Sequence, residues 1–318
     1  METPLNTSCD VTIDYLGESI EDNGVILQQG DSVASGLPDD SVDLVFCSPP
    51  YEAARTYGID FKLKGDAWVG WAVDRYMEHL RICKGIVAWV VEGQTRKFTY
   101  SAAPILMMAE LHRRGVKLRK PPVFHRVGIP GSGGPDWLRN DYEFVICGTK
   151  HGKLPWSDNT ATGHPPKYAK GGVSTNRGKD GRRVNQWGHS IASGATQVDE
   201  GGVVRSKGKR PSHVEYAKPV LANPGNVIKC NVGGGQMGSK LAHENEAPFP
   251  EALAEVFIRS FCPPGGIVFD GFCGSGTTLA VAVKNDRMAV GMDIRESQIE
   301  LSRRRVAEAH DCKANTKD

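Results

Sequence analysis

Four residues early in the chain, Ser48-Pro49-Pro50-Tyr51, combine groups that could bind a flat molecule carrying an amino group. A short apolar run at residues 44–46 precedes them and predicts a buried strand, which must end at the prolines because proline cannot continue a central ladder. The prolines fix the backbone and donate no N–H, so their carbonyls serve as oriented acceptors. Ser48 adds a hydroxyl and Tyr51 a ring for stacking. A nucleobase rotated out of its stack is such a guest, and a plain strand-to-loop corner is the alternative.

A second candidate site lies 222 residues later, where Asp270 precedes the turn Gly274-Ser275-Gly276 and Asp293 follows it. A strand, a glycine turn and a helix start let backbone approach a ligand, and an acid after the next strand suits ribose hydroxyls. A nucleoside triphosphate would need the Gly-Lys-Ser/Thr of a P-loop, which is missing. A dinucleotide prefers a third glycine where this chain has Leu279. S-adenosylmethionine has a ribose and no phosphates, so the pattern favours it.

The elements that must position these residues alternate along the chain. Apolar runs predict strands near residues 25–27, 44–46, 86–91, 122–126, 142–147, 267–270 and 288–292, and helical spacing predicts helices near 66–81, 101–114, 251–261, from 277 and near 298–308. This alternation predicts an α/β fold with a doubly wound, mostly parallel sheet covered on both faces. Regular structure is expected to stop at Lys150 and to resume near Ala247.

The segment 150–220 differs from the rest of the chain in charge. It holds 13 Lys/Arg against 5 Asp/Glu, a net of +8, and since the whole chain carries +2 the remainder carries −6. It also contains eleven glycines with aromatic residues between them. Such a segment is typical of a surface that follows a phosphate backbone, and a solvated loop is the alternative. The candidate DNA-binding residues are Arg177, Lys179, Arg182, Arg183, Arg205, Lys207, Lys209 and Arg210.

Composition narrows the class of protein further. Hydrophobic residues make up 39% and charged residues 24%, as in an ordinary globular protein. Residues 1–10 lack the pattern of a signal peptide, and the run 86–91 is too short to cross a bilayer. The eight cysteines are scattered without metal-ligand spacing. We therefore predict reduced thiols, no metal site, no membrane association and a cytoplasmic location.

The chain resembles the β-type amino-group DNA methyltransferases, which methylate cytosine N4 or adenine N6. Members carry a catalytic (S/D/N)PP(Y/W) motif, then a target-recognition region, then a DPFxGSGTT cofactor motif. Here the two motifs are residues 48–51 and 270–278, in that order, with the basic segment between them; further matches lie at 30–31, at 140–143 (ending in Glu143) and at 247–250. The resemblance covers roughly residues 25–150 and 240–310. Gly271 stands where the family usually has proline, which predicts a looser turn.

The resemblance implies a Rossmann-like methyltransferase fold in three regions: a catalytic half at 1–149, a basic target-recognition insertion at 150–220 and a cofactor-binding half at 221–318. Ser48 and the Pro49 carbonyl would accept hydrogen bonds from the target amine, and Tyr51 would stack on the flipped base, with Pro50 completing the catalytic corner. The implied S-adenosylmethionine-binding residues are Asp31, Phe249, Pro250, Asp270, Phe272, Gly274, Ser275, Gly276, Thr277, Thr278 and Asp293. Cys47 precedes the motif and is interpreted as a small buried strand residue, not a nucleophile.

Several alternatives stay open beside this interpretation. Serine at the first motif position favours N4-methylation of cytosine in double-stranded DNA without excluding adenine N6. Protein glutamine methyltransferases with an Asn-Pro-Pro-Tyr corner place the cofactor motif first, so motif order argues against them. A nicotinamide-dependent oxidoreductase leaves the basic segment unexplained, and a non-enzymatic DNA-binding module needs no cofactor site. A bacterial or phage-encoded protein of this type, monomer or homodimer, could also have a cognate restriction endonuclease as partner.

Overall fold

The computed structural model describes residues 24–52, 59–128, 133–165, 197–198, 204–205, 221–233 and 235–315. They fall into two compact units. One holds the described residues up to Ala161 and from Gly225 onward, and the other lies within Thr162–Pro224. Both predicted halves of the methyltransferase domain lie largely in the first unit, while the division into functional regions by residue number stays a prediction.

A mixed sheet forms the centre of the first unit. In chain order the strands of the described residues are β1 (Val25–Gln29), β2 (Val42–Cys47), β3 (Cys83–Val91), β4 (Thr95–Arg96), β5 (Thr99–Tyr100), β6 (Lys117–Leu118), β7 (Val123–Val127), β8 (Tyr142–Thr149), β9 (Gln197–Val198), β10 (Val204–Arg205), β11 (Val227–Asn231), β12 (Ile267–Asp270) and β13 (Met288–Asp293). The order across the sheet is β1-β13-β12-β2-β3-β8-β7-β11, with β6 beside β8. β4 and β5 form a separate hairpin.

Strand direction places the two predicted motifs side by side, at the carboxyl ends of neighbouring central strands. Five strands lie side by side and run parallel to one another, in the order β1, β13, β12, β2 and β3. β8 runs antiparallel to β3, β6 and β7. In the β12–β2 pair, Val268 lies opposite Leu44 and Phe269 opposite Val45. The carboxyl ends of β2 and β12 are therefore adjacent, and ligands bind at such ends in open α/β sheets.

Helices cover both faces of the sheet. α1 (Gly65–Ile82) and α2 (Ala103–Arg113) pack on one face, and α3 (Glu251–Phe261), α4 (Thr277–Lys284) and α5 (Glu296–Asn315) on the other. Side chains alternate along β2 accordingly: Leu44 and Phe46 pack on the side of α3–α5, Val45 and Cys47 on the side of α1 and α2. The predicted doubly wound, mostly parallel fold and its predicted helices are confirmed.

The strand β11 was not predicted. It pairs in parallel with β7 at the edge of the sheet, and most of its residues are exposed or half-buried. An edge strand buries little surface, so its sequence, Val-Ile-Lys-Cys-Asn, shows only weak alternation of apolar and polar residues. Regular structure therefore resumes before Ala247, the position expected from the sequence.

The second unit is described in part. β9 pairs antiparallel with β10, and His164 forms an isolated bridge with Ala222. Across the described residues of both units, no helix has the length and apolarity needed to cross a membrane.

Candidate active site

The Ser48–Tyr51 corner follows directly after β2, at the carboxyl end of the strand. Ser48 Oγ lies 3.3 Å from both the Val90 carbonyl and the Tyr51 phenol oxygen. Because the hydroxyl has one proton and two lone pairs, it can still accept a hydrogen bond from a guest. The Pro50 carbonyl accepts a 3.0 Å hydrogen bond from Trp68 Nε1, so α1 holds the second proline in place.

A hydrogen-bonded chain orients the ring of Tyr51. Its phenol donates to Glu143 Oε2 at 2.7 Å, and Glu143 Oε1 lies 3.1 Å from the Arg126 guanidinium. Arg126 also donates to the Asn140 carbonyl at 2.8 Å. Glu143 belongs to one of the family matches in the sequence, but Arg126 was missed. Its position in β7, opposite the start of β8, is a relation that only the sheet pairing reveals.

Glu92 is a further acid near the corner and was not among the site residues predicted from the sequence. It follows directly after β3, accepts 2.8 Å and 2.9 Å hydrogen bonds at Oε1 from Gly93 N and the Tyr100 phenol, and is buried. Burial is the largest cause that raises its pKa above the ordinary value. Its Oε2 has no hydrogen-bond partner in the part of the chain that the structure describes. The sequence did contain a signal for this residue: Glu92 directly follows a predicted strand.

The glycine turn between β12 and α4 has the backbone shape that requires glycine. Gly274 and Gly276 have φ of +50° and +76°, in the left-handed region that other residues rarely adopt. A Cβ at Gly274 would lie 2.9 Å from Asn245 Nδ2, and one at Gly276 would lie 3.0 Å from Ser302 Cα. Both positions are closely packed, so the turn is fixed in shape.

Asp293 ends β13 beside this turn. Its Oδ2 accepts a 3.2 Å hydrogen bond from Gly274 N, and its Oδ1 accepts one of 2.9 Å from Arg295 N. The carboxylate therefore shapes the turn. Its Oδ1 also lies 3.5 Å from Arg295 Nε, and its Oδ2 keeps a second lone pair for a hydroxyl. Its predicted contact with a ribose is compatible with this position and stays a prediction.

Three predicted cofactor residues lie behind the wall of the site. Asp270 is buried, accepts a 3.0 Å hydrogen bond from Phe272 N, and has its pKa raised to about 7, chiefly by burial. Thr278 is buried and donates to the Phe46 carbonyl at 3.3 Å, and Gly276 is the N-cap residue that precedes α4. These residues support the turn from the side facing away from the cavity. Their direct contact with a ligand remains a prediction.

Gly271 makes room for a buried histidine. A Cβ at Gly271 would lie only 2.5 Å from His79 Nε2 on α1. His79 Nδ1 accepts a 3.0 Å hydrogen bond from Trp89 Nε1, and burial lowers the pKa of His79 to about 3, so the ring is neutral. Its ring centroid lies 5.9 Å from that of Phe272. The glycine found where the family usually has proline thus accommodates a ring that supports Phe272.

Asp31 follows β1, the outer strand beside β13, and so lies at the same carboxyl-terminal side of the sheet. It caps a short 3-10 helix by accepting from Val33 N at 3.1 Å, and it forms an ion pair with Arg75, whose Nε lies 2.9 Å away. The Arg75 guanidinium stacks 4.4 Å from the centroid of the Trp71 ring. Trp71 in turn contacts Phe272, with centroids 5.9 Å apart. Phe272 was predicted from the sequence, but Trp71 and Arg75 were missed because α1 is distant in sequence from the glycine turn.

One cavity of about 610 Å³ joins the two predicted sites. Its lining includes the predicted catalytic corner and most of the predicted cofactor residues: Ser48, Pro49, Pro50, Tyr51, Asp31, Phe249, Pro250, Phe272, Gly274, Ser275, Thr277 and Asp293. Glu92, Arg126, Glu143, Trp71 and Arg75 line it as well. A ligand at the glycine turn and a guest at the corner would therefore share one space.

The predicted DNA-binding residues cannot be placed in the same way. Arg177, Lys179, Arg182, Arg183, Lys207, Lys209 and Arg210 lie outside the described residues, and for Arg205 only the backbone of β10 is described. Their role stays a prediction. In the described part of the chain, no three His, Cys, Asp or Glu side chains come together as metal ligands would.

Comparison with known proteins identifies a family over most of the chain. Residues 42–304 match the N6_N4_Mtase family, described as DNA methylase. The orphan methyltransferase M.BamHII of Bacillus amyloliquefaciens is 27% identical over 85% of this chain and 90% of its own length. The DNA adenine methyltransferase YhdJ of Escherichia coli K12 is 22% identical over 87% of this chain and 81% of its own length.

Among solved structures, the cytosine-N4-specific PvuII DNA methyltransferase has a similar fold. The two superpose with a TM-score of 0.59 at 17% sequence identity, covering 92% of this chain and 93% of that one. At this identity the likeness concerns the fold, a Rossmann-like methyltransferase sheet.

Proposed function

Since the chain belongs to the DNA methylase family, we propose that it transfers a methyl group from S-adenosylmethionine to the exocyclic N4 amine of a cytosine flipped out of double-stranded DNA. The observation that carries this proposal is the single cavity lined by both the Ser48–Tyr51 corner and the Gly274–Asp293 turn. Methyl transfer requires donor and acceptor to meet within one enclosed space, and positioning supplies much of the acceleration.

The residues around the glycine turn fit the proposed donor. S-adenosylmethionine would supply an electrophilic methyl group on a sulfonium. Asp293 would bind the ribose hydroxyls, and the Gly274–Ser275 backbone would approach the ligand closely because no side chain intervenes. Phe249 and Pro250 would flank the methionyl part, with Phe249 held edge-on against Phe46 at 5.5 Å between centroids. Asp31 lies at the end proposed for adenosine.

The corner would orient the accepting amine. Ser48 Oγ and the Pro49 carbonyl would each accept a hydrogen bond from one N–H of the amine. The Pro50 carbonyl already accepts a hydrogen bond from Trp68. S-adenosylmethionine bound at the glycine turn would supply the methyl group, which the amine nitrogen would accept in exchange for one proton. The Glu92 carboxylate lines the same cavity and would accept the proton that the methylated amine releases. Cys47 forms no bond to the base, because it is fully buried and burial raises its thiol pKa well above the ordinary value.

Adenine N6 is the second candidate acceptor. It presents the same amine, and the likeness to an adenine methyltransferase over 87% of the chain favours it. Serine at position 48 supports cytosine through the family's association of that residue with N4 chemistry. The two products differ in mass, so nucleoside analysis separates them.

The remaining parts of the proposal concern the partner. Residues 150–220 would recognise DNA through Arg177, Lys179, Arg182, Arg183, Arg205, Lys207, Lys209 and Arg210, in a cytoplasmic protein acting as monomer or homodimer. Their segment carries the basic charge that phosphate binding requires. A restriction endonuclease is not required, since M.BamHII is described as an orphan methyltransferase.

Expression in a host without DNA methylation tests this function. Mass spectrometry of nucleosides from host DNA should show N4-methylcytosine, and modified-base sequencing should place it in one recognition sequence. Ser48→Ala should abolish the mark, whereas Ser297→Ala, at an exposed serine of α5, should retain it. N6-methyladenine alone would move the assignment to adenine, and unmodified DNA from a folded wild-type protein would refute methyl transfer to DNA.

A further inference from the structure

Large apolar side chains stand exposed beside the cavity. Phe98 is 69% exposed, Trp137 39% and Leu138 93%. They belong to two loops that also line the cavity, one through Gln94 and the other through Asn140. Exposed apolar residues gathered at one place mark a binding surface more often than scattered ones do.

The first loop is a hairpin with an unusual turn. β4 and β5 are joined by Lys97 and Phe98, whose φ values are +48° and +65°. A two-residue turn of this shape normally uses asparagine or glycine, so a bulky phenylalanine there is under strain. Strain of this kind persists where the surrounding structure enforces it, and it often accompanies function.

The hairpin is fastened to the wall of the cavity. Its Tyr100 phenol donates to Glu92, and Gln94 and Ser101 close its base through two hydrogen bonds of 2.9 Å and 3.0 Å. A Cβ at Gly93 would lie 2.7 Å from the Tyr100 ring, so glycine is needed for this close approach. The tip therefore has a fixed position relative to the cavity.

The second loop braces the first. The Trp137 ring packs on Gly134, where a Cβ would lie 2.1 Å from the ring, and Gly134 N donates to the Trp137 carbonyl at 3.1 Å. Trp137 also meets Phe98 edge to face, with centroids 5.6 Å apart at 82°. Leu138 follows at the point of greatest exposure.

We propose that Phe98 and Leu138 form a wedge that enters the base stack of duplex DNA, at the step from which the target base rotates into the cavity; this rests on the proposed function. An apolar side chain inserted between base steps fills the gap that a departing base leaves. The exposed cations Arg96, Lys97 and Arg139 flank the wedge, and the nearby acids are Asp136 and Asp141, which lies 3.4 Å from Arg139. The cations outnumber the acids, so a polyanion matches this surface better than an apolar partner does.

The test uses Phe98→Gly and Leu138→Ala. Glycine suits the positive φ at position 98, so this variant removes the wedge while relieving strain and should fold at least as well. Ile105→Ala, at a 48% exposed position of α2, is the matched control. The probe is a duplex of the sequence found by modified-base sequencing, with 2-aminopurine replacing the target base. Its fluorescence rise on wild-type binding should fall several-fold in each wedge variant and persist in the control.

Three outcomes separate the possibilities. An unchanged fluorescence rise in both wedge variants would overturn the wedge while methylation by the wild type leaves the function standing. If Phe98→Gly instead converts a dimer to a monomer in sedimentation and leaves the fluorescence unchanged, the surface binds a second copy and the wedge is wrong.

If the wild type methylates no DNA, the function fails by nucleoside analysis. A duplex with an abasic site then tests the wedge alone: wild-type preference for it over an intact duplex, abolished in Phe98→Gly, would support insertion, and equal binding would refute it.

Discussion

The Tyr51 phenol donates a 2.7 Å hydrogen bond to Glu143, which is itself paired with Arg126. A ring expected to stack on a base is thus anchored at its outer atom. Tyr51→Phe keeps the ring and removes the anchor. We expect kcat/KM to fall about tenfold, since a hydrogen bond to a charged group contributes roughly 1.5 kcal/mol, with cofactor affinity unchanged. Steady-state kinetics with Tyr142→Phe, an exposed tyrosine nearby, as control would check this. An equal decrease in both variants would contradict it.

Loss of the Asp293 carboxylate should weaken cofactor binding. Asp293→Ala removes the acceptor proposed for the ribose and the bond to Gly274 N, and the affinity for S-adenosylmethionine should fall by about 1–3 kcal/mol. Calorimetry measures this directly. Asp311→Ala, an exposed acid of α5, should bind normally. Unchanged affinity in Asp293→Ala would remove this residue from the site.

Glu92 should set the acid side of the pH profile. A base must be deprotonated to accept a proton, and burial raises the pKa of this carboxyl. The rate of methyl transfer should therefore decline as pH falls through that raised pKa. Glu92→Gln cannot ionise, so the rate should be at least tenfold lower and the acid limb should disappear. Single-turnover rates over roughly pH 5 to 9 decide the point, and a wild-type acid limb retained in Glu92→Gln would exclude this role.

Gly271 and His79 should be energetically coupled. Gly271→Ala places a methyl group against the His79 ring, and overpacking of this kind costs about 1–3 kcal/mol of unfolding free energy. Combined with His79→Ala, which opens space, the alanine at 271 should cost less than it does alone. Denaturant unfolding of the two single variants and the double variant gives the coupling. Strict additivity would show that the two residues do not press on each other.

The basic segment should govern the salt dependence of DNA binding. Neutralising Arg182, Arg183, Lys209 and Arg210 with glutamine should flatten the plot of log affinity against log salt, by about 0.9 for each phosphate that the protein no longer neutralises. Neutralising four exposed arginines elsewhere should leave the slope nearly unchanged: Arg113 in α2, Arg114 at its C-cap, and Arg303 and Arg304 in α5. Titrations at several salt concentrations measure both. Identical slopes for the first set and the parent protein would place the phosphates elsewhere.

The sequence predicted most of the fold because its central strands are strongly apolar and end in recognisable turns. Ser48, Tyr51, Gly274 and Asp293 were identifiable for the same reason, since each ends a buried strand or lies within four residues of its end. Arg126 and the Trp71–Arg75 wall were not, because their relation to the site depends on pairings between distant elements. Glu92 shows the intermediate case: its place after a strand was visible, but its burial and the state of its second carboxylate oxygen required the packed structure.

The arrangement of the sheet also has a consequence for synthesis of the protein. β2 lies between β3 and β12, and Asp43 accepts a hydrogen bond from Ile267 N, 224 residues later. During translation, one edge of β2, the strand before the Ser48–Tyr51 corner, therefore stays unpaired until residues 267–270 have left the ribosome. Pairings of such long sequence separation form slowly, and exposed apolar edges favour aggregation in the meantime. We expect slow maturation of the nascent chain and little activity from any truncated product, so that DNA meets only the completed enzyme.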